Sequence, residues 1–390
     1  MSKALLPIFL IVAVDVLGMT IILPLLPFYA EHLGASPLQV GLLISTFAVC
    51  QLFGGPLIGR VSDEIGRKPL LLLSQAGTLL GFGILAWAGS LWMVFLSRVI
   101  DGFTAGNLSL AQAYIADITK PEDRAKSFAV IGIAFGLGFL IGPAISGFLA
   151  QFGYQYPIFM AMSLSAMSIV ATAMLLPGGK PHLEGEASTR RRLSVLQWGL
   201  YADYFRRPGL ATLLMQLFVF LFAFSVFMSG FPLFAERRFT WDGKPFDAKH
   251  VGYVYAYVGI ISIILQGGLI GRLVRAMGER KLAKAGFAFS VAGFGALAWT
   301  YRIPPMLVVA AVTSLGTGVL RPVLTSLITQ KIAKNEQGTV LGLTQSLQSV
   351  ASITAPFCAG LLIQHGQLAG WALLAAAFSL AGFLAANARG

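Results

Sequence analysis

The sequence predicts an all-α integral membrane protein of 12 transmembrane helices in two pseudo-symmetric six-helix bundles. Three observations predict it. Of 390 residues, 56% are hydrophobic and only 11% are charged, with a mean hydropathy of +0.78, whereas a soluble domain carries about 25% charge. The apolar residues form runs longer than the roughly 20 that one helix needs to cross a ~30 Å hydrocarbon core. Glycine and proline positions of the first half recur in the second at an offset of about 212 residues. A β-barrel is excluded because its strands would read as ~10-residue alternating segments.

In chain order the predicted spans are 5–29, 38–58, 70–90, 92–115, 127–150, 157–177, 209–233, 250–271, 282–300, 305–328, 338–362 and 369–387. The first is too long for the apolar core of a signal peptide, holds Asp15, Pro24 and Pro27, and lacks a small-residue cleavage site. Residues 178–208 form the one long polar stretch and divide the chain into bundles at 1–177 and 209–390. Within that stretch Leu193, Leu196, Leu200, Tyr201 and Tyr204 keep helical spacing. They mark either an amphipathic helix on the inner membrane surface or a plain connection. Cys50 and Cys358 lie inside apolar runs, so neither a disulfide framework nor a metal site is expected.

The formal net charge of +12 is a topology signal rather than a nucleic-acid footprint. With the N-terminus inside, 21 of the 28 Lys and Arg fall on the inner face, Lys284 in the first turn of the ninth span among them, five on the outer and two deeper within spans. Such a bias orients the chain, with both termini cytoplasmic in a cell (inner) membrane. In the repeat, Gly59-x3-Asp63-x2-Gly66 falls on Gly271-x3-Arg275-x2-Gly278, Gly106 on Gly318, and Pro143 and Gly147 on Pro356 and Gly360 after a one-residue shift. Six spans per half preserve direction, so the repeats are parallel, an arrangement suited to rocking of one half against the other.

The loop between the second and third spans, Gly59-Arg60-Val61-Ser62-Asp63-Glu64-Ile65-Gly66-Arg67-Lys68-Pro69, has the makings of a conformational latch. Gly59 would let helices approach closely and Gly66 would permit a tight turn. Asp63 would face a helix N-terminus, and Arg67 and Lys68 would seek acids such as Asp117. The bland alternative is a solvated loop that only sets topology.

This loop strongly resembles the signature loop of the major facilitator superfamily. Residues 134–147, with Gly138, Gly142, Pro143 and Gly147, resemble that family's antiporter motif, which the resemblance associates with exporters. Arg98-x3-Gly102 is similar to a motif implied to act in proton coupling. The first span, Asp15-x2-Gly18-x5-Pro24-x2-Pro27, and Glu336-Gln337-Gly338 resemble the drug/proton antiporter branch, the tetracycline exporters in particular. There are departures. Arg275 replaces Asp63 in the second copy, so only the first latch should carry its full charge pattern. The acids that the resemblance implies in the third and ninth spans are missing, which argues against tetracycline and metal–drug chelates as cargo.

Asp15 and Asp101 are the only acids deep within spans, each about 15 Å from its span's start at 1.5 Å per residue. A charge there costs at least ~2.5–3.5 kcal/mol and should face a cavity or a partner. Arg98 and Asp101 share a helical face. Asp15 and Asp101 are therefore the expected proton carriers, with Arg98 tuning Asp101; a purely structural pair is the alternative. The four histidines lie in loops or at span ends. Arg321 either snorkels to the cytoplasmic face or contacts an anionic substrate. The stripe Phe220, Phe224, Phe227, Phe231 and Phe234 either packs or forms a greasy cavity wall. Asn107, Gln112, Gln266 and Gln345 complete the candidate substrate cavity.

The expected function is proton-coupled export of small organic, lipophilic or drug-like compounds by alternating access. An importer or organic-anion carrier using Arg321 and Arg98 is the alternative. A membrane-embedded enzyme would need a nucleophile–base pair or metal cluster, and the sequence offers none. The expected partners are substrate, protons and the lipid bilayer. Neither nucleic acid nor a cofactor is expected, a proton gradient supplies the drive, and the protein should be a monomer.

Overall fold

The structure, a computed structural model, describes residues 5–118, 124–176, 203–207, 209–333 and 336–387. The first half comprises α1 (Leu5–His32), α2 (Pro37–Ile65), α3 (Arg67–Ala86), α4 (Leu91–Thr104), α5 (Asn107–Ile118), α6 (Arg124–Ala150) and α7 (Gln155–Leu175). The second comprises α8 (Leu210–Arg238), a hairpin β1 (Thr240–Trp241) and β2 (Lys244–Pro245), α9 (Ala248–Ile264), a π-helical turn (Leu265–Leu269) and α10 (Ile270–Met277). It ends with α11 (Glu279–Leu297), α12 (Ile303–Thr329), α13 (Gln337–Gln364) and α14 (Leu368–Asn387). Among the described residues ten helical stretches are long and apolar enough to cross a membrane. The proposed amphipathic helix falls, apart from Tyr204, outside the described residues.

The repeat seen in the sequence recurs in the packing. α1 packs on α6 and α7, and α3 on α4 and α7. Correspondingly α8 packs on α13 and α14, and α11 on α12 and α14. The helices separate into two compact units: Met1–Ser36, Thr46–Arg190 and Asp247–Ala256 in one, and Pro37–Ser45, Arg191–Phe246 and Tyr257–Gly390 in the other. Each unit thus takes in the start of one helix from the opposite half, and the same small residues make this possible. In the first unit Gly252 lies against the Pro143 carbonyl and Gly147 against the backbone of Lys249. In the second, Gly41 lies against the Pro356 carbonyl and Gly360 against Pro37 and Leu38. A side chain at any of the four would meet backbone, so only glycine permits these approaches.

Two features depart from the sequence expectation. The predicted span 92–115 is broken at Ala105-Gly106, between α4 and α5. The break is chemically closed by Ser74, whose hydroxyl donates to the Thr104 carbonyl and accepts the Gly106 N–H at 3.0 Å. Interruptions at membrane depth need such replacement partners. A small hairpin, unannounced in the sequence reading, is added to the otherwise helical fold. Its Asp242-Gly243 turn has φ values of 49° and 76°, the left-handed pair that joins two strands tightly.

Candidate functional site

The first unit buries a polar cluster. Asp15 from α1 is hydrogen-bonded by Ser168 of α7, Gln75 of α3 and Asn107 of α5. The Gln75 amide also donates to the Ser168 hydroxyl at 2.7 Å, and Ser165 donates to the Gln75 carbonyl at 3.4 Å. Four helices thus converge on one carboxyl group. Beside it, Arg98 and Asp101 of α4 form the expected ion pair at 3.2 Å, with side chains only 7% and 9% exposed. Thr78 hydrogen-bonds Asp101, and Gly81 lets α3 approach the Asp101 Cβ. The Arg98 guanidinium also meets Ser97 at 3.3 Å and the Phe47 ring at 6.0 Å. Among the described residues three buried atoms of this group have no hydrogen-bond partner: Gln75 Oε1, Asn107 Oδ1 and Arg98 Nη2. A carboxylate only accepts hydrogen bonds, so an ionised Asp15 cannot satisfy either amide oxygen.

The sequence reading missed Gln75, Thr78 and Ser168. Gln75 carried a readable signal, the one amide of the third span. Ser168 and Thr78 carried none, because hydroxyls are common in spans and bond their own helix backbone.

The signature loop forms a latch of different composition from the one expected. Gly66 has φ 109° and donates its N–H to the Ser62 carbonyl at 3.0 Å, which turns the chain between α2 and α3. Arg67 pairs with Asp63 at 2.6 Å and donates to Ser62 Oγ at 2.5 Å. Lys68 reaches the last carbonyls of α7, Ala173 at 2.8 Å and Leu176 at 2.7 Å, where a cation complements the helix dipole. One expectation fails. Among the described residues nothing lies within 4 Å of the position a side chain would take at Gly59, so this glycine makes no close helix contact with them. Asp63 does reach a helix N-terminus, that of α3, through its pairing with the first residue Arg67, and stays half-exposed. The side chain of Asp117 lies outside the described residues.

The second copy of the loop is charge-inverted rather than stripped. Gly278 has φ 76° and opens α11 as Gly66 opens α3. Arg275 stands where Asp63 stood and Glu279 where Arg67 stood. Glu279 accepts from Ser326 at 2.7 Å and Gln330 at 2.9 Å, both at the end of α12. The ninth span therefore does begin with an acid, but that acid is held at the helix end and not at mid-depth.

The antiporter motif lines the seam of α6 with α1. Gly138 lies against Val16 and Gly142 against Thr20. The Thr20 hydroxyl donates to the Gly138 carbonyl at 2.9 Å. The motif thus packs directly on the helix that carries Asp15.

In the second unit the phenylalanine stripe is core. Phe220, Phe227, Phe231 and Phe234 are buried. Phe227 packs on Phe294 and Trp371, with ring centroids at 5.4 and 6.2 Å, and Gly230 makes room for Trp371. Placing Phe220 and Phe227 on a substrate cavity is therefore corrected: they face their own bundle. Phe224, stacked on Phe220 at 6.0 Å, is only partly buried and stays available. Arg321 is exposed on α12 and donates to Gln348 of α13 at 3.3 Å, and Gln348 donates in turn to Ser352 at 3.1 Å. Gln112 and Gln345 are exposed, and so is Gln266 in the π-helical turn beside Gly267 and Gly268. Such turns are frequent at functional sites.

Apolar helices long enough to span a membrane, a parallel repeat and an ion pair buried inside one bundle define a multi-pass membrane transporter. The chain belongs to the major facilitator superfamily, which it matches over residues 8–356 and again over 267–388. It is 28% identical over 362 residues to the tetracycline resistance protein, class E, of Escherichia coli, covering 91% of this chain and 87% of that protein. It is 27% identical over 353 residues to multidrug resistance protein 2 of Bacillus subtilis, covering 89% and 85%. Its fold matches the human organic anion transporter MFSD10 with a TM-score of 0.72 and 25% identity, over 98% of this chain and 99% of that one.

Proposed function

We propose that this protein exports small organic compounds in exchange for protons by alternating access. The broken α4–α5 segment and α11 would join the ten apolar stretches as spans, making twelve, with both termini in the cytoplasm and the protein acting as a monomer in the cell membrane. The observation that carries the coupling is the unpaired amide oxygen on each side of Asp15. A protonated Asp15 would donate to Gln75 Oε1 or Asn107 Oδ1, and loss of that proton leaves both orphaned in a dry site. Proton binding is thereby tied to the packing of α1 against α3, α5 and α7. α1 also carries Thr20 at the antiporter seam, so a shift there is felt on both sides of the helix. The relatives named for tetracycline and multidrug resistance support export as the direction and drug-like molecules as the cargo.

The test is uptake into inverted proteoliposomes of candidate lipophilic drugs, tetracycline among them. Uptake should require an inside-acid pH gradient and collapse when a protonophore is added. Accumulation that ignores both would overturn the reading.

A second reading concerns cargo charge. Arg321 is exposed, held by one neutral partner, and the fold resembles an organic anion transporter. Organic anions as cargo would make Arg321→Gln selectively weaken their transport and spare neutral or cationic drugs.

A further inference from the structure

The second unit holds a cavity of about 370 Å³ that no part of the transport reading uses. It lies where α8 and α11 begin and α12 and α14 end, so it sits at one end of the bundle, at the membrane surface that carries the basic loops. Its lining includes four cations, Arg280, Lys281, Lys284 and Lys331, and no acid. Among the described residues none of the four forms an ion pair. Gln216, only 5% exposed, also lines the cavity and has no hydrogen-bond partner among the described residues. Apart from Thr212 and Gln330, the remaining wall is apolar, chiefly Leu213 and Leu327.

This arrangement is costly without a ligand. Arg280 and Lys281 occupy the first turn of α11, where the helix dipole disfavours positive charge, and the one acid of that turn, Glu279, is taken up by Ser326 and Gln330 rather than by these cations. Four like charges around one concavity also repel one another and raise a strong local potential. Orienting the chain does not require the concentration. At the repeat offset, Arg280, Lys281 and Lys284 correspond to Lys68, Pro69 and Leu72. The first half thus keeps a single cation, and its ammonium is engaged by the α7 carbonyls. At these positions the cationic cluster belongs to the second half.

We infer that this cavity binds the phosphate headgroup of an anionic glycerophospholipid. The cations would hold the phosphate, Gln216 would donate to a headgroup oxygen, and the acyl chains would lie along the apolar wall and pass into the bilayer. Basic pockets between span ends are suited to such headgroups. The apolar wall at the bilayer surface favours a lipid over a soluble anion of the same chemistry.

The experiment measures lipid binding to the purified full-length protein by native mass spectrometry, with thermal unfolding as a second readout. The probes are phosphatidylglycerol, phosphatidylcholine and inorganic phosphate. Wild type should retain phosphatidylglycerol and be stabilised by it, and respond to neither other probe. Lys281→Ala/Lys284→Ala should bind phosphatidylglycerol about thirtyfold more weakly, at about fivefold for each surface charge removed. The charge-matched control Arg206→Ala/Arg272→Ala should bind as wild type does. Gln216→Leu, which keeps every charge, should also weaken binding. Equal retention of both lipids, or equal loss in the control variant, would reduce the effect to general charge and overturn the site. Full stabilisation by inorganic phosphate alone would overturn the assignment to lipid.

Discussion

The two halves fold by the same pattern yet fill equivalent positions with opposite chemistry. At an offset of 212 residues, Asp15, Gln75, Asp101 and Asn107 of the first half correspond to Phe227, Phe287, Thr313 and Val319 of the second. The packing supports the correspondence: Gly81 lies against Asp101, and Gly293 lies against Thr313. In the first half these positions hold a carboxyl, two amides and an ion pair. In the second they hold two aromatic rings, an aliphatic side chain and one hydroxyl, all uncharged and buried, with Phe287 at 0%, Phe227 at 5%, Val319 at 3% and Thr313 at 4% exposure. One scaffold therefore tolerates either filling. The aromatic one gains dispersion and buried apolar area without desolvating a charge. The polar one gives up that security and leaves three atoms unpaired. Such a sacrifice in only one of two repeats is the pattern expected where a group must change its protonation state.

The comparison can be broken most severely at the buried ion pair. Arg98→Ala leaves Asp101 buried without its cation and should cost about 3–5 kcal/mol in reversible unfolding from detergent micelles. The double variant Arg98→Ala/Asp101→Thr installs the residues that the second half carries at these positions, Ala310 and Thr313. It should recover most of that loss. Equal instability of single and double variants would mean that the halves are not interchangeable at this site.

The aromatic side is tested by Phe227→Ala, which should cost about 3–5 kcal/mol because a buried ring between Phe294 and Trp371 is lost. A neutral result in the same unfolding assay would return Phe227 to the surface. A smaller effect, about 1–3 kcal/mol, is expected for Gly142→Val, which forces a side chain against Thr20 at the α1–α6 seam.

The smallest effect concerns the exposed pair of Arg207 and Glu336. Two hydrogen bonds of 2.8 and 3.0 Å from Arg207 hold the Glu336 carboxyl below its ordinary value of 4.5. A depressed carboxyl stabilises the fold at neutral pH, and the contribution fades as pH falls from about 4.5 downward. Wild type should therefore be slightly more heat-stable than Glu336→Gln at pH 7, and the two should converge in acid. A difference that widens in acid would reverse the sign.

Much of this was legible from sequence because bilayer physics makes it so. Long apolar runs and charge bias name the spans, and the two midplane acids stand out against hydrocarbon. The Arg98–Asp101 pair followed from helical spacing alone. What escaped depended on which helices meet. Gln75 and Ser168 are unremarkable until α3 and α7 bring them to Asp15. The fate of the phenylalanine stripe could not be read from period either, since a stripe facing its own bundle and one facing a cavity have the same spacing. The inverted pair Arg275 and Glu279 is present at the repeat offset, but Glu279 precedes the apolar run of the ninth span and so reads as a loop charge until α11 is seen to begin with it. The break at Gly106 depended on a serine thirty-two residues away in sequence.

The central claim is that Asp15, and not its surroundings in general, carries the coupling. Its most direct test compares Asp15→Asn with wild type in proteoliposomes for two activities of the same cargo. Gradient-driven accumulation requires a proton to be taken and released, whereas equilibrium exchange requires only that cargo cross in both directions. The account predicts that Asp15→Asn loses accumulation and its pH dependence and retains exchange, because asparagine can still hydrogen-bond Gln75, Asn107 and Ser168. Full pH-driven accumulation by Asp15→Asn would contradict it.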